Sequence, residues 1–144
     1  PYVSMHGSTA KMVAHFTDDL IRRNITVKPF NLTKTDIGDL AMSLVDAATI
    51  VVATPTVLVG PHPAAVYAVY LTNALRPKTK YVSVIGSYGW GGKMVDQITA
   101  MTGNLKAEIL KPVVVKGHPG KETFDALDEL ATTIASKHKQ LGIV

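Results

Sequence analysis

Three short segments concentrate the residues able to hold a ligand. The first, Ser4-Met5-His6-Gly7-Ser8-Thr9, sets three hydroxyls around a glycine just before a helical pattern. A helix N-terminus offers unpaired backbone N–H groups and the positive end of the helix dipole, and both favour an anion. With hydroxyl donors and no lysine or arginine, this loop suits a phosphate monoester held by neutral donors. The same residue types serve equally as plain helix caps, so on this loop alone both readings stand. The second segment, Thr54-Pro55-Thr56-Val57-Leu58-Val59-Gly60-Pro61, places three aliphatic side chains where a surface turn is ordinarily polar. That composition fits an apolar wall for a planar ring or an interface with another domain. The third, Gly86-Ser87-Tyr88-Gly89-Trp90-Gly91-Gly92, holds the only tryptophan of the chain. Its glycines let backbone N–H groups come close to a ligand. Tyr88 and Trp90 can stack on an aromatic ring system or cover its edge; Trp90 plugging a gap between loops is the alternative.

Bringing these loops together takes an alternation of strands and helices. Tyr2 and Val3 end a first strand, and Met12, Val13, Phe16 and Leu20 then form one helical stripe. Residues 25–30 read as a second strand. Asp36 caps a helix carrying Ile37, Leu40, Ala41, Leu44 and Val45 at helical spacing. Residues 49–54, TIVVAT, are apolar on both faces, as a central parallel strand should be. A loop and a very apolar helix fill residues 61–75, and residues 81–86 give a fourth strand. Met94, Val95, Ile98 and Met101 mark a fourth helix, residues 109–115 a fifth strand, and Phe124, Leu127, Leu130, Ala131 and Ile134 a closing helix. Proline cannot donate to a ladder, so Pro29 and Pro112 assign the second and fifth strands to the edges of the sheet. The order 2-1-3-4-5 satisfies this, giving a three-layer α/β sandwich around a five-stranded parallel sheet. In such a sheet ligands bind beyond the carboxyl ends of the strands, where the three unusual loops lie.

Composition narrows the function classes. At 144 residues the chain fits one domain, and 47% hydrophobic against 18% charged residues argues for an ordered globule. The absence of cysteine excludes disulfides, thiolate metal sites and a catalytic thiol, and is compatible with the cytoplasm. No apolar run approaches the roughly 20 residues of a membrane span. A net charge of +4 is spread over the chain without a nucleic-acid-binding signature, so neither membrane nor nucleic acid is expected as a partner. His6, His15, His62, His118 and His138 are scattered singly, with no ligand pair, so no metal site is expected. No G-x-G-x-x-G follows the first strand, and Gly86-Ser87-Tyr88-Gly89 is not a nucleophile elbow. The strand ends also lack the acidic cluster of a phosphate-accepting receiver domain.

SMHGST, TPT and SYGWGG resemble the three FMN loops of flavodoxin-like domains, with wording similar to the C-terminal flavodoxin domain of flavodiiron proteins (A-type flavoproteins). The segment GPHPAAVYAVYLTNALRPK is also similar, and the likeness covers essentially the whole chain; archaeal members that oxidise a reduced deazaflavin coenzyme resemble it too. The resemblance implies FMN as cofactor. Ser4, Met5, His6, Gly7, Ser8 and Thr9 would hold its phosphate. Pro55, Thr56, Val57, Leu58, Val59 and Gly60 would approach the isoalloxazine. Ser87, Tyr88, Gly89, Trp90, Gly91 and Gly92 would complete the opposite side. Many relatives carry an aromatic and asparagines after the Pro-Thr, where this chain has Val57, Leu58 and Val59, so backbone groups must replace side-chain hydrogen bonds there.

The resemblance further implies an electron-transfer module with no catalytic residue of its own. It would deliver electrons to a diiron centre that reduces oxygen or nitric oxide, held in a metallo-β-lactamase-like domain of the same chain or of a partner subunit. Residues 1–144 would then be a fragment lacking that upstream domain, in keeping with a first strand of barely four residues before the glycine loop. The implied partners are an electron donor, such as reduced deazaflavin coenzyme, rubredoxin or a reductase, and a second copy in a homo-oligomer. The alternative is a stand-alone FMN-dependent NAD(P)H:quinone or flavin reductase. A basic chain predicts a less negative flavin potential than acidic flavodoxins have. The apolar helix ending at Leu75, with Val66, Tyr67 and Tyr70, is richer in hydrophobics than one buried face requires, which fits an interface or an unusually deep packing.

Overall fold

β-Branched runs that are apolar on both faces pair at the centre of the sheet. β1 (Thr49–Val57) lies parallel to β3 (Tyr81–Tyr88), with Thr49 opposite Tyr81 and Pro55 opposite Ser87. The computed structural model describes the chain apart from residues 6, 58–59, 76, 89–93 and 144. Its order of elements is α1 (Ser8–Arg22), α2 (Ile37–Leu44), β1, β2 (Gly60–Pro61), α3 (Pro63–Leu75), β3, α4 (Met94–Ala100), β4 (Glu108–Ile109), β5 (Val113–Lys116) and α5 (Lys121–Gln140).

Alternation along the central strands divides the core into two layers. Ala53 and Ile85 face Met12, Phe16 and Leu20 of α1 and Leu127, Leu130, Ala131 and Ile134 of α5. Their neighbours Ile50, Val52 and Val84 face Leu40 and Leu44 of α2, Ala65, Ala68 and Val69 of α3, and Met94 and Ile98 of α4. The result is the expected flavodoxin-like α/β sandwich. Across its first face the His15 Nε2–Asp128 Oδ1 contact, 2.7 Å, ties α1 to α5. No helix among the described residues is long and apolar enough to cross a membrane.

The strand order 2-1-3-4-5 is present with its early strands pared to bridges. Tyr2 bridges in parallel to both Asn31 and Ala53, and Val3 N donates to Ala53 O at 3.0 Å. Residues 25–30 form no ladder. Pro29 has no N–H to give, and only Tyr2 stands opposite, donating to Phe30 O and accepting from Leu32 N. The expected fifth strand is two short pieces, β4 and β5, both parallel to β3. Pro112 sits in the interruption, where Ser83 Oγ donates to the carbonyls of Leu110 and Lys111 at 3.4 and 3.3 Å. The third strand runs beyond Thr54 to Val57, and Gly60–Pro61 folds back against it as an antiparallel pair. The loop expected at residues 54–61 is therefore partly a continuation of the sheet.

Candidate functional site

The loops meet at the carboxyl ends of the strands, around a cleft of about 280 Å³. Met5, Ser8 and Thr9 line it from the first loop, Pro55 and Thr56 from β1, Ser87 and Tyr88 from β3, and Gly117 and His118 from the loop after β5. No Asp, Glu, Lys or Arg is among these nine. A larger cavity, about 400 Å³, lies at the opposite ends of the strands, bordered by Leu20, Ile25, Leu44 and Ile50. Core side chains and polar residues such as Asn24, Lys28 and Asp46 line it together, and it shares no lining residue with the first cleft.

Ser4 organises the first loop. Its Oγ accepts hydrogen bonds from Gly7 N and Ala10 N, each 3.2 Å, and so caps α1 from three residues before the helix boundary. The turn requires a left-handed residue, and Gly7 supplies it at φ +87°. The amides of Ser8 and Thr9 lie in the first turn of α1, where no i−4 carbonyl of the helix reaches them. Both side chains are buried beneath the cleft, and Thr9 Oγ1 lies 3.5 Å from Ser87 Oγ at the end of β3. Hydroxyls from residues 78 positions apart thus converge at a helix N-terminus. Neutral donors at the positive end of a dipole are what a phosphate monoester needs. This cradle fits the phosphate of FMN.

Thr54 anchors the second loop. Fully buried, its Oγ1 donates to Pro55 O at 2.9 Å and accepts from His62 N at 3.1 Å. His62 Nδ1 in turn accepts from Ala64 N at 3.0 Å, holding the start of α3. The third loop depends on Gly86. A Cβ there would lie 2.0 Å from Thr54 O and 2.8 Å from Met94 Cε, so β1 and β3 approach this closely only because residue 86 has no side chain. Tyr88 O accepts from Gly117 N at 2.9 Å and brings the loop after β5 to the rim.

Of the residues expected to bind cofactor, Met5, Ser8, Thr9, Pro55, Thr56, Ser87 and Tyr88 line the cleft. Ser4 and Gly7 shape it from behind through the cap. Val57 and Gly60 belong to the antiparallel fold-back and are not part of the lining; Gly60 instead lies against Gln97. His6, Leu58, Val59, Gly89, Trp90, Gly91 and Gly92 lie outside the described residues. Gly117 and His118 are additional to the expected set. Their signal was a Lys-Gly-His-Pro-Gly turn directly after the fifth strand, a fourth carboxyl-end loop. Gly117 takes φ +77°, a turn only glycine adopts freely, and Ser8 Oγ lies 2.9 Å from His118 Nδ1. Among the described residues, no three His, Cys, Asp or Glu side chains cluster as a metal ion requires.

The helix α3 buries Ala65, Ala68, Val69 and Thr72 and leaves Tyr67 and Tyr70 56% and 67% exposed. Its surplus of apolar residues therefore faces outward and is not absorbed by deep packing. Met42 and Val45, on and just beyond the adjoining α2, are also exposed.

Comparison with known proteins agrees with this geometry. The family model described as Flavodoxin matches residues 1–129. The chain is 34% identical over 91 residues to a nitric oxide reductase of Moorella thermoacetica, covering 63% of this chain and 23% of that protein. It is 28% identical over 138 residues to the rubredoxin-oxygen oxidoreductase of Megalodesulfovibrio gigas, covering 93% of this chain and 34% of that one. The solved rubredoxin oxygen:oxidoreductase from Desulfovibrio gigas superposes with a TM-score of 0.90 at 26% identity, covering 96% of this chain and 35% of that one. The chain spans about a third or less of the length of the curated relatives it matches.

Proposed function

We propose, from the premise that this chain belongs to the flavodoxin family, that it is an electron-transfer module serving the diiron site of a flavodiiron oxygen or nitric oxide reductase. FMN is the cofactor of the family and of the flavodiiron relatives. The observation that carries the reading is the convergence of the Ser8, Thr9 and Ser87 hydroxyls on the N-terminus of α1.

In this reading the Ser8 and Thr9 amides and the Ser8, Thr9 and Ser87 hydroxyls hold the phosphate. Pro55 and Thr56 border one side of the isoalloxazine, with Leu58 and Val59 beyond them in sequence, and Tyr88 and Trp90 border the other. His6, Gly89, Gly91 and Gly92 complete the set. When bound, the flavin supplies the redox chemistry, and the protein supplies position and electrostatics. Among the described residues the cleft lining contains no carboxylate to repel a reduced, anionic flavin. Ser4 and Thr54 keep the two phosphate-side and ring-side loops in place through the bonds described above.

Residues 1–144 then form one FMN domain of a longer flavodiiron protein whose metallo-β-lactamase-like domain holds the iron. The relatives it matches are about three times longer or more, and their names include nitric oxide reductase and rubredoxin-oxygen oxidoreductase. The exposed Tyr67 and Tyr70 on α3, with the exposed Met42 on the adjoining α2, provide apolar surface for a partner domain or second copy in a homo-oligomer. Reduced deazaflavin coenzyme, rubredoxin or a reductase is the donor class to test, in a cytoplasmic setting.

Stopped-flow kinetics of the FMN-loaded, reduced protein test the role. Rapid oxidation by an isolated diiron domain, with no steady-state turnover of NAD(P)H and a quinone, supports a module. Sustained NAD(P)H:quinone turnover with no transfer to the diiron domain would replace it with a stand-alone reductase.

A further inference from the structure

We propose that His118 is a positioning residue for the FMN phosphate: it orients the Ser8 hydroxyl toward the phosphate and brings a positive charge that the other described lining residues lack. The proposal rests on the FMN reading above. His118 comes from the loop after β5, outside the three loops to which the phosphate and ring have been assigned.

The geometry is specific. Ser8 lies in the first turn of α1, buried, with its Oγ 2.9 Å from His118 Nδ1 across 110 residues of sequence. The imidazole is placed by the left-handed turn at Gly117, which is itself tied through its N–H to Tyr88 O at the end of β3. Both Ser8 and His118 line the cleft.

A serine hydroxyl has one proton to donate and can accept two hydrogen bonds. When His118 Nδ1 carries no hydrogen, Ser8 spends its proton on the imidazole. When Nδ1 carries a hydrogen, it donates to Ser8 Oγ and frees the hydroxyl proton for a phosphate oxygen. An imidazolium meets this requirement whatever the starting tautomer, and it adds a charge-assisted contact near the dianion. Phosphate binding therefore selects the protonated ring.

Little else nearby competes for this role. The titratable groups in the first turns of α1 and α5 and at the carboxyl ends of β3 and β5 are Lys11, Lys121, Glu122, Tyr88 and Lys116; His6 in the first loop and Lys93 after the third lie outside the described residues. The three lysines and Glu122 are solvent-exposed. None of these groups is hydrogen-bonded to His118 or Ser8 among the described residues.

The test compares FMN and riboflavin binding by flavin fluorescence quenching, in the wild type, His118→Gln and His118→Ala, from about pH 5.5 to pH 8.5. Gln keeps a donor near Ser8 without the charge. Because free FMN titrates identically in every sample, the ratio of dissociation constants isolates the imidazole. FMN binding is expected to weaken about tenfold in His118→Gln at the acid end of the range, with the ratio falling toward one at the alkaline end. His118→Ala should weaken FMN binding at the acid end of the range and converge on the wild type at the alkaline end, while riboflavin, which has no phosphate, should bind all three proteins alike. The ³¹P resonance of bound FMN should titrate in the wild type with a midpoint that His118→Gln shifts. Thermal melts confirm that the variants fold. A ratio independent of pH, or riboflavin weakened as much as FMN, overturns the role of His118 and leaves the FMN site standing. Failure of the wild type to bind either flavin overturns the FMN reading and this proposal together.

Discussion

Replacing Thr54 by valine removes one oxygen atom and loosens two parts of the site at once. The Thr54 side chain is fully buried at the end of β1, and its hydroxyl links Pro55 O to His62 N. Valine fills nearly the same volume but leaves the part-buried His62 N–H without its acceptor. A hydrogen bond of this kind contributes about 1 kcal/mol, and stranding one partner costs about 1–3 kcal/mol. The lost bond to Pro55 O adds little, because that donor and acceptor are immediate neighbours. We expect a loss of about 1–2 kcal/mol, or roughly 3–7 °C in Tm for a domain of this size. Urea denaturation of the flavin-free protein should show a lower midpoint with an unchanged slope. Amide hydrogen exchange should quicken at His62 and at Ala64, whose N–H is held by the His62 ring. FMN affinity should fall severalfold because Pro55 and Thr56 line the cleft. Thr54→Ser is the control, since it keeps the hydroxyl and should preserve protection at His62. A Thr54→Val loss below about 0.3 kcal/mol, or unchanged exchange at His62, would refute this account of how the second loop is held.

Two further substitutions probe the site and its support. Gly86→Ala should cost at least about 3 kcal/mol by chemical denaturation, because the new methyl meets the Thr54 carbonyl, a backbone atom that moves only with its strand; a loss under about 1 kcal/mol would mean that the strands part easily. His138 is buried with Nε2 2.6 Å from Thr49 Oγ1, and burial pushes its pKa below the ordinary value. The unfolded chain therefore binds the proton more readily, so stability is complete above about pH 6.5 and declines as pH falls below it, by at most about 1.4 kcal/mol per pH unit. Thermal melts between pH 5 and pH 7 should lose most of that slope in His138→Gln; an unaltered slope would assign it to other groups.

Much of the architecture is legible in the chain because buried parallel strands and amphipathic helices leave local signals. TIVVAT and the run from Tyr81 mark the two central strands, and the stripe Met12, Phe16, Leu20 marks the face of α1 that is buried. Less legible is how far each strand extends. That depends on partners distant in sequence: residues 25–30 lack a ladder because their neighbour offers only Tyr2, and β1 runs on to Val57 because Gly60–Pro61 folds back against it. Pro112 signals an edge, but not that Ser83 would bridge the resulting break from the adjacent strand. At the site, strand ends and hydroxyl types, together with the resemblance of the loops to FMN loops, point to seven lining residues. Gly117 and His118 escape because the Lys-Gly-His-Pro-Gly turn marks the end of a strand but not that β5 ends beside α1. Gln97 beside Gly60 and the cap from Ser4 to Ala10 are likewise products of tertiary approach.

The most direct measurement of the central claim is titration of the flavin-free protein with FMN, followed by gel filtration and ¹H–¹⁵N correlation spectra. The account predicts one FMN retained per chain, with quenched fluorescence. The largest amide shifts should fall at Ser8, Thr9, Thr56, Ser87 and Tyr88, and small ones around the second cavity at Leu20 and Leu44. Failure to retain FMN, or shifts centred on the second cavity, would contradict it.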